Sequence, residues 1–112
     1  MSIDRITRVN ELLREIASEF INRESNHASL ITVTRVETKR DLRYATVYIS
    51  VFPEKDRSAA LDFLKRKRSE MREALKQRAN LKHIPTLEVA LDQGEIQRQH
   101  IDGLLAEEGE GQ

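Results

Sequence analysis

Leu30-Ile31-Thr32-Val33-Thr34-Arg35-Val36-Glu37 and Arg43-Tyr44-Ala45-Thr46-Val47-Tyr48-Ile49-Ser50-Val51-Phe52 are two β-branched runs joined by Thr38-Lys39-Arg40-Asp41-Leu42. Side chains branched at Cβ are stiff at χ1 and suit a pleated surface, so both runs read as strands. The second alternates strictly, with Ala45, Val47, Ile49 and Val51 on one face and Tyr44, Thr46, Tyr48 and Ser50 on the other. A connection this short makes the strands antiparallel neighbours, and its tip is basic. Tyr44 and Tyr48 share a face, and packing of their rings under a helix is favoured over base stacking.

Upstream, Ile6, Val9, Leu12, Leu13, Ile16, Ala17, Phe20 and Ile21 recur at the spacing of one helical face. This predicts a long amphipathic helix, ended by Ser25-Asn26-His27, whose side chains compete for backbone hydrogen bonds. Downstream, Pro53 stops the second strand, and a helix is predicted from about Arg57 with Ala60, Leu61, Leu64, Met71 and Leu75 on its core face. On one continuous helix Lys65, Arg72 and Lys76 fall within about 40° of one another and form a basic stripe. The pattern weakens at Gln77-Arg78-Ala79-Asn80, where a kink or break is expected. Residues 86–91 alternate as a short third strand entered through Pro85, closed by Asp92-Gln93-Gly94. Ile96, Ile101, Leu104 and Leu105 give a last stretch of nearly helical spacing. The expected organisation is one domain over residues 1–106 and a flexible acidic tail over 107–112.

The 112 residues are the length of a single domain, which excludes a two-domain enzyme with a cleft between its halves. The absence of cysteine excludes disulfides, thiolate metal sites and a cysteine nucleophile, and fits a reducing, cytoplasmic address. No apolar run approaches the ~20 residues of a membrane span, so no membrane partner is expected. The net charge is zero, but it is unevenly spread: residues 1–52 carry +1, residues 53–83 carry +5 and residues 84–112 carry −6. The central segment has the local field that a phosphate backbone selects.

Catalysis has little to build on. His27, His83 and His100 have no zinc-ligand spacing, and the glycines Gly94, Gly103, Gly109 and Gly111 form no phosphate loop. No catalytic residue, metal or cofactor is expected. Binding is better provided for: Lys39, Arg40, Arg43, Lys65, Arg72, Lys76, Arg78 and Lys82 come from the hairpin tip, the stripe and the kink, and can together neutralise several phosphates.

The predicted order helix, strand, strand, helix, kink, helix, strand is that of the type II KH domain, an α+β RNA-binding fold with a three-stranded sheet packed on helices. Arg8-Val9, the stretch from Ile31 to Glu37, the stretch from Arg40 to Ser50, Ala60-Leu61-Asp62-Phe63-Leu64, Leu81-Lys82-His83-Ile84-Pro85-Thr86-Leu87 and Ile101-Asp102-Gly103-Leu104-Leu105 sharpen the likeness. Together they resemble bacterial ribosome-binding factor A over roughly residues 5 to 105. The resemblance implies a non-enzymatic factor that associates with the free small (30S) subunit rather than the complete 70S ribosome. It further implies a role in late maturation and processing of the pre-16S rRNA, a link to cold adaptation, an assembly GTPase as a further partner, and a monomeric state. In that family an alanine- and glycine-containing kink replaces the phosphate-clamping G-x-x-G loop. The matching stretch here, Lys76-Gln77-Arg78-Ala79-Asn80, has alanine but no glycine, so the kink would grip folded RNA through Lys76, Arg78 and Lys82. The competing reading is a protein-protein adaptor that does not bind RNA, in which the stripe is only solvated surface.

Overall fold

The computed structural model describes residues 4–94; the amphipathic stretch from Ile96 to Leu105 and the acidic tail lie outside the described residues. The architecture is α+β in the expected order. Helix α1 (Arg5–Glu24) leads to strands β1 (Leu30–Thr38) and β2 (Tyr44–Phe52), then helices α2 (Arg57–Arg66) and α3 (Arg68–Arg78), and strand β3 (Thr86–Leu91). None of the described helices is long and apolar enough to cross a membrane.

Helix α1 begins because Asp4, in extended backbone, accepts the Thr7 N–H at 2.9 Å. That donated hydrogen bond holds the Asp4 carboxyl below its ordinary value near 3.8. A carboxyl whose folded value is depressed stabilises the protein above its unfolded value, and the gain is lost as pH falls through the folded one. Asp4→Ala is therefore expected to lower the urea midpoint at pH 7, with the gap to the parent protein closing in acid. A gap independent of pH would show that the charge contributes nothing. The helix ends where expected: Ser25 is extended, Ser25 Oγ accepts the His27 N–H at 3.1 Å, and Asn26 Oδ1 accepts the Ala28 N–H at 2.9 Å.

The sheet order is β1-β2-β3, antiparallel between β1 and β2 and parallel between β2 and β3. Central strand β2 shows the cleanest in-out alternation. Strand β1 carries a bulge: Val33 pairs with Ile49 but Arg35 pairs with Tyr48, leaving Thr34 as the extra residue. The bulge shifts the phase by one, so Val33 and Val36 both face the core. Thr34 Oγ1 donates to buried Asp92 at 2.5 Å and meets the Tyr48 carbonyl at 3.3 Å, which ties the bulge to the end of β3.

Helix α1 packs on β1, α2 and α3 pack on β3, and α1 meets α3. Leu13, Ile21, Ile49, Leu64, Met71 and Leu75 lie in the enclosed core. Burying that apolar surface is what offsets the entropy of ordering the chain.

Two expectations need correction. The central helix is not continuous to Gln77. It breaks at Lys67 (φ −93, ψ 5), whose N–H is shared between the Phe63 and Leu64 carbonyls at 3.1 Å each. This conformation is open to any L-residue, so no glycine is required. The weak stretch at residues 77–80 is the end of α3: Ala79 is extended and buried, and no helix follows before β3. The interhelical junction therefore falls within Lys65-Arg66-Lys67-Arg68, four consecutive cations, and not at Ala79.

Candidate nucleic-acid interface

The β1–β2 loop is closed by its own backbone. The Lys39 N–H donates to the Tyr44 carbonyl at 2.8 Å, and the Leu42 N–H to the Lys39 carbonyl at 2.9 Å. Asp41, the only acid in the loop, accepts the Arg43 N–H at 3.0 Å and so serves the turn. Lys39, Arg40 and Arg43 are left exposed with no acidic partner in ion-pair range among the described residues.

Four tertiary hydrogen bonds bring other elements together around this loop. The Thr38 N–H donates to Asn10 Oδ1 at 2.9 Å, which seats the first turns of α1 beside it. The Thr86 N–H donates to the Arg43 carbonyl at 2.8 Å. Arg72 donates to the Ile84 and Pro85 carbonyls at 2.8 and 3.2 Å, which holds the segment before β3 against α3. Arg5, Thr38, Leu42, Leu81, Lys82 and His83 consequently line one cleft. Of the cations, Arg5 and Lys82 line this cleft, Arg43 lines the adjoining surface with Leu42 and His83, and Lys39 and Arg40 lie in the loop between the lining residues Thr38 and Leu42, an arrangement of the kind that suits phosphates.

The remaining candidates are placed differently. Arg72 spends two donors on backbone carbonyls, so its first role is to position residues 84 and 85. Arg78 is paired with Glu19 of α1. Lys76 is exposed on α3. Lys65 borders a shallow surface with Ala59, Asp62 and Arg66 that includes no residue of the loop. With α2 ending before Lys67, the stripe of Lys65, Arg72 and Lys76 does not lie on one helix.

Four cationic residues were passed over by sequence reasoning. Arg66, Lys67 and Arg68 form a run that a straight helix would scatter around its axis; the break at Lys67 gathers it at a junction instead. There the Arg66 and Arg68 Nε atoms donate to the Asp62 and Lys65 carbonyls at 3.4 and 3.1 Å, a favourable place for positive charge at the end of α2. Arg68 also approaches Glu88 at 3.4 Å and Lys67 approaches Glu70 at 3.2 Å, which partly neutralises the run. Arg5 carried no signal at all until Asn10 fixed α1 against the loop.

The tyrosines depart from expectation. Tyr44 is 50% exposed beside Asp41, Arg43, His83 and Thr86, so no helix among the described residues roofs it. Tyr48 is half-buried with the Arg35 guanidinium 4.1 Å from its ring centroid. Among the described residues, no group of three or more histidine, aspartate or glutamate side chains could hold a metal ion.

The profile of the ribosome-binding factor A family matches residues 5–105. Ribosome-binding factor A of Protochlamydia amoebophila is 34% identical over 109 residues, 94% of this chain and 83% of the relative. That of Thermodesulfovibrio yellowstonii is 37% identical over 105 residues, 92% of this chain and 89% of the relative. The crystal structure of ribosome-binding factor A from Thermus thermophilus has a TM-score of 0.69 at 24% identity, over 79% of this chain and 97% of that one, a likeness of fold. A homology model of the Thermus thermophilus protein, as fitted into the cryo-EM map of its complex with the 30S subunit, has a TM-score of 0.64 at 27% identity. It covers 72% of this chain and 88% of that one.

Proposed function

Because the chain belongs to the ribosome-binding factor A family, we propose that it binds the free small ribosomal subunit through the cationic end formed by Arg5, Lys39, Arg40, Arg43 and Lys82. In this reading it acts in the cytoplasm as a monomer, assists late maturation and processing of the pre-16S rRNA, and does no chemistry of its own. It holds one rRNA arrangement by binding it more tightly than the mature one, and leaves when the difference in affinity is gone. An assembly GTPase is a fitting partner for that departure. The observation that carries the reading is the meeting of the β1–β2 loop, the start of α1 and residues 81–85 around one cleft, with cations on each that have no acidic partner among the described residues. The 30S complex of the Thermus thermophilus relative supports the choice of partner.

The adaptor reading has its own observation: Leu30 and Phe52 pair across the strands at the opposite end of the sheet and are 66% and 67% exposed. Salt separates the two. Five phosphate contacts give a log–log salt slope of about −3.5 to −4.5, so subunit affinity is expected to fall about 10²–10³-fold between about 50 and 200 mM salt. Sedimentation with purified small subunits across that range checks it. An affinity that barely changes would place the contact on the apolar end and overturn the phosphate reading.

A further inference from the structure

The cleft at the cationic end has a volume of about 280 Å³ and a mixed lining. Val9, Leu42, Leu81 and Pro85 supply apolar walls, while Arg5 and Lys82 supply charge at its rim. Leu42 is the informative residue. Its φ is 61°, in the left-handed region where glycine or asparagine is at ease and a bulky side chain is strained. The loop closes through backbone hydrogen bonds that glycine would make equally well, so a leucine here adds nothing to the turn. What it adds is a half-buried apolar wall to the cleft. Strain of this kind persists where the surroundings over-determine it and clusters at sites that clamp ligands. Thr38, on the same lining, has an Oγ1 that is buried without a hydrogen-bond partner among the described residues. Rotation of that side chain offers a donor and an acceptor to a polar ring edge.

Resting on the reading that this end meets rRNA, we infer that the cleft receives one unstacked nucleobase, walled by Leu42 and flanked by cations that hold the phosphates on either side. The occupant follows from charge. An apolar slot alone would suit any apolar group, but one rimmed by Arg5 and Lys82 and adjoining a loop with Lys39, Arg40 and Arg43 suits an apolar ring carried on a polyanion. The site thus adds a local preference to binding that would otherwise follow phosphates only.

The test uses the full chain and two probes: a strand of eight abasic ribose phosphates carrying a single 2-aminopurine near its middle, and the same strand wholly abasic. The parent protein is expected to bind the base-bearing strand on the order of tenfold tighter, with a change in 2-aminopurine fluorescence as the base enters the cleft. Leu42→Gly relieves the backbone strain and removes the wall. Leu42→Asn also suits the left-handed backbone and makes the wall polar, and circular dichroism verifies that both variants fold. Both are expected to bind the two strands equally. No preference in the parent protein, whether both strands bind or neither does, overturns the base site, as does a preference that survives in both variants. Failure of the parent protein to sediment with subunits is a separate result that overturns the phosphate reading itself.

Discussion

Reversing Lys39, Arg40 and Lys82 together to glutamate is expected to weaken binding to the small subunit on the order of 10²–10³-fold at about 0.1 M salt. Each cation that neutralises a phosphate releases close to one counterion, and near 0.1 M each release is worth nearly a factor of ten. Losing three such contacts accounts for that range, and the repulsion introduced by glutamate adds to it. The salt slope should also flatten by about three. All three residues are exposed and without an acidic partner among the described residues, so thermal stability is expected to stay within the small range of surface substitutions. Unchanged sedimentation by a folded triple variant would remove this end from the interface.

Arg72 is left out of that triple for a structural reason. Its guanidinium bonds to the carbonyls of residues 84 and 85, so changing it would release the segment that carries Lys82 and mix folding with binding. The junction cations make the better comparison. Lys65, Arg66 and Lys67 lie in a part of the chain that shares no cleft lining with the loop, so their reversal separates a contact confined to the loop end from one that also uses the junction.

The strands and α1 were legible because each has a periodic signal that the packing then obeys. Val47, Ile49 and Val51 alternate along β2 and are buried, and Val9, Leu13, Ile16 and Phe20 repeat along α1 and are buried. The bulge at Thr34 went unread, though it has a mark in the chain: Val33 and Val36 are apolar but three apart, and both face inward only because one residue is extra. The break at Lys67 left no such mark. Ala60, Leu64, Met71 and Leu75 keep helical phase on both sides of it, and a backbone at φ −93 and ψ 5 needs no special residue. For the interface, the loop cations announced themselves by position. Arg5 and the carbonyl-bound role of Arg72 depend on hydrogen bonds between segments far apart in sequence, which no local pattern records.

Leu64→Ala is expected to cost about 3–5 kcal/mol, the upper part of the range for a buried leucine. Leu64 is 0% exposed in the last turn of α2, and its carbonyl accepts the Lys67 N–H at the break. Two groups of atoms could move to fill the space it leaves. One is the sheet, which β2 fixes by pairing on both edges. The other is α3, anchored by Met71 and Leu75 in the core and by Arg72 on residues 84 and 85. With both sides held, little collapse is possible and the cavity term adds to the lost transfer energy. At roughly 0.05–0.15 kcal/mol per residue the whole domain is worth about 6–17 kcal/mol, so this one change removes a large share, read as a fall in the urea midpoint at unchanged slope. Leu64→Met keeps the volume and is expected to cost under about 1.5 kcal/mol. Subunit affinity, corrected for the folded fraction, should be unchanged, because Leu64 lies in the core and not on the cleft or the loop. A cost below about 1.5 kcal/mol for the alanine variant would mean that α2 and α3 sit loosely on the sheet. The four cations at their junction would then have no fixed geometry to present to a phosphate chain.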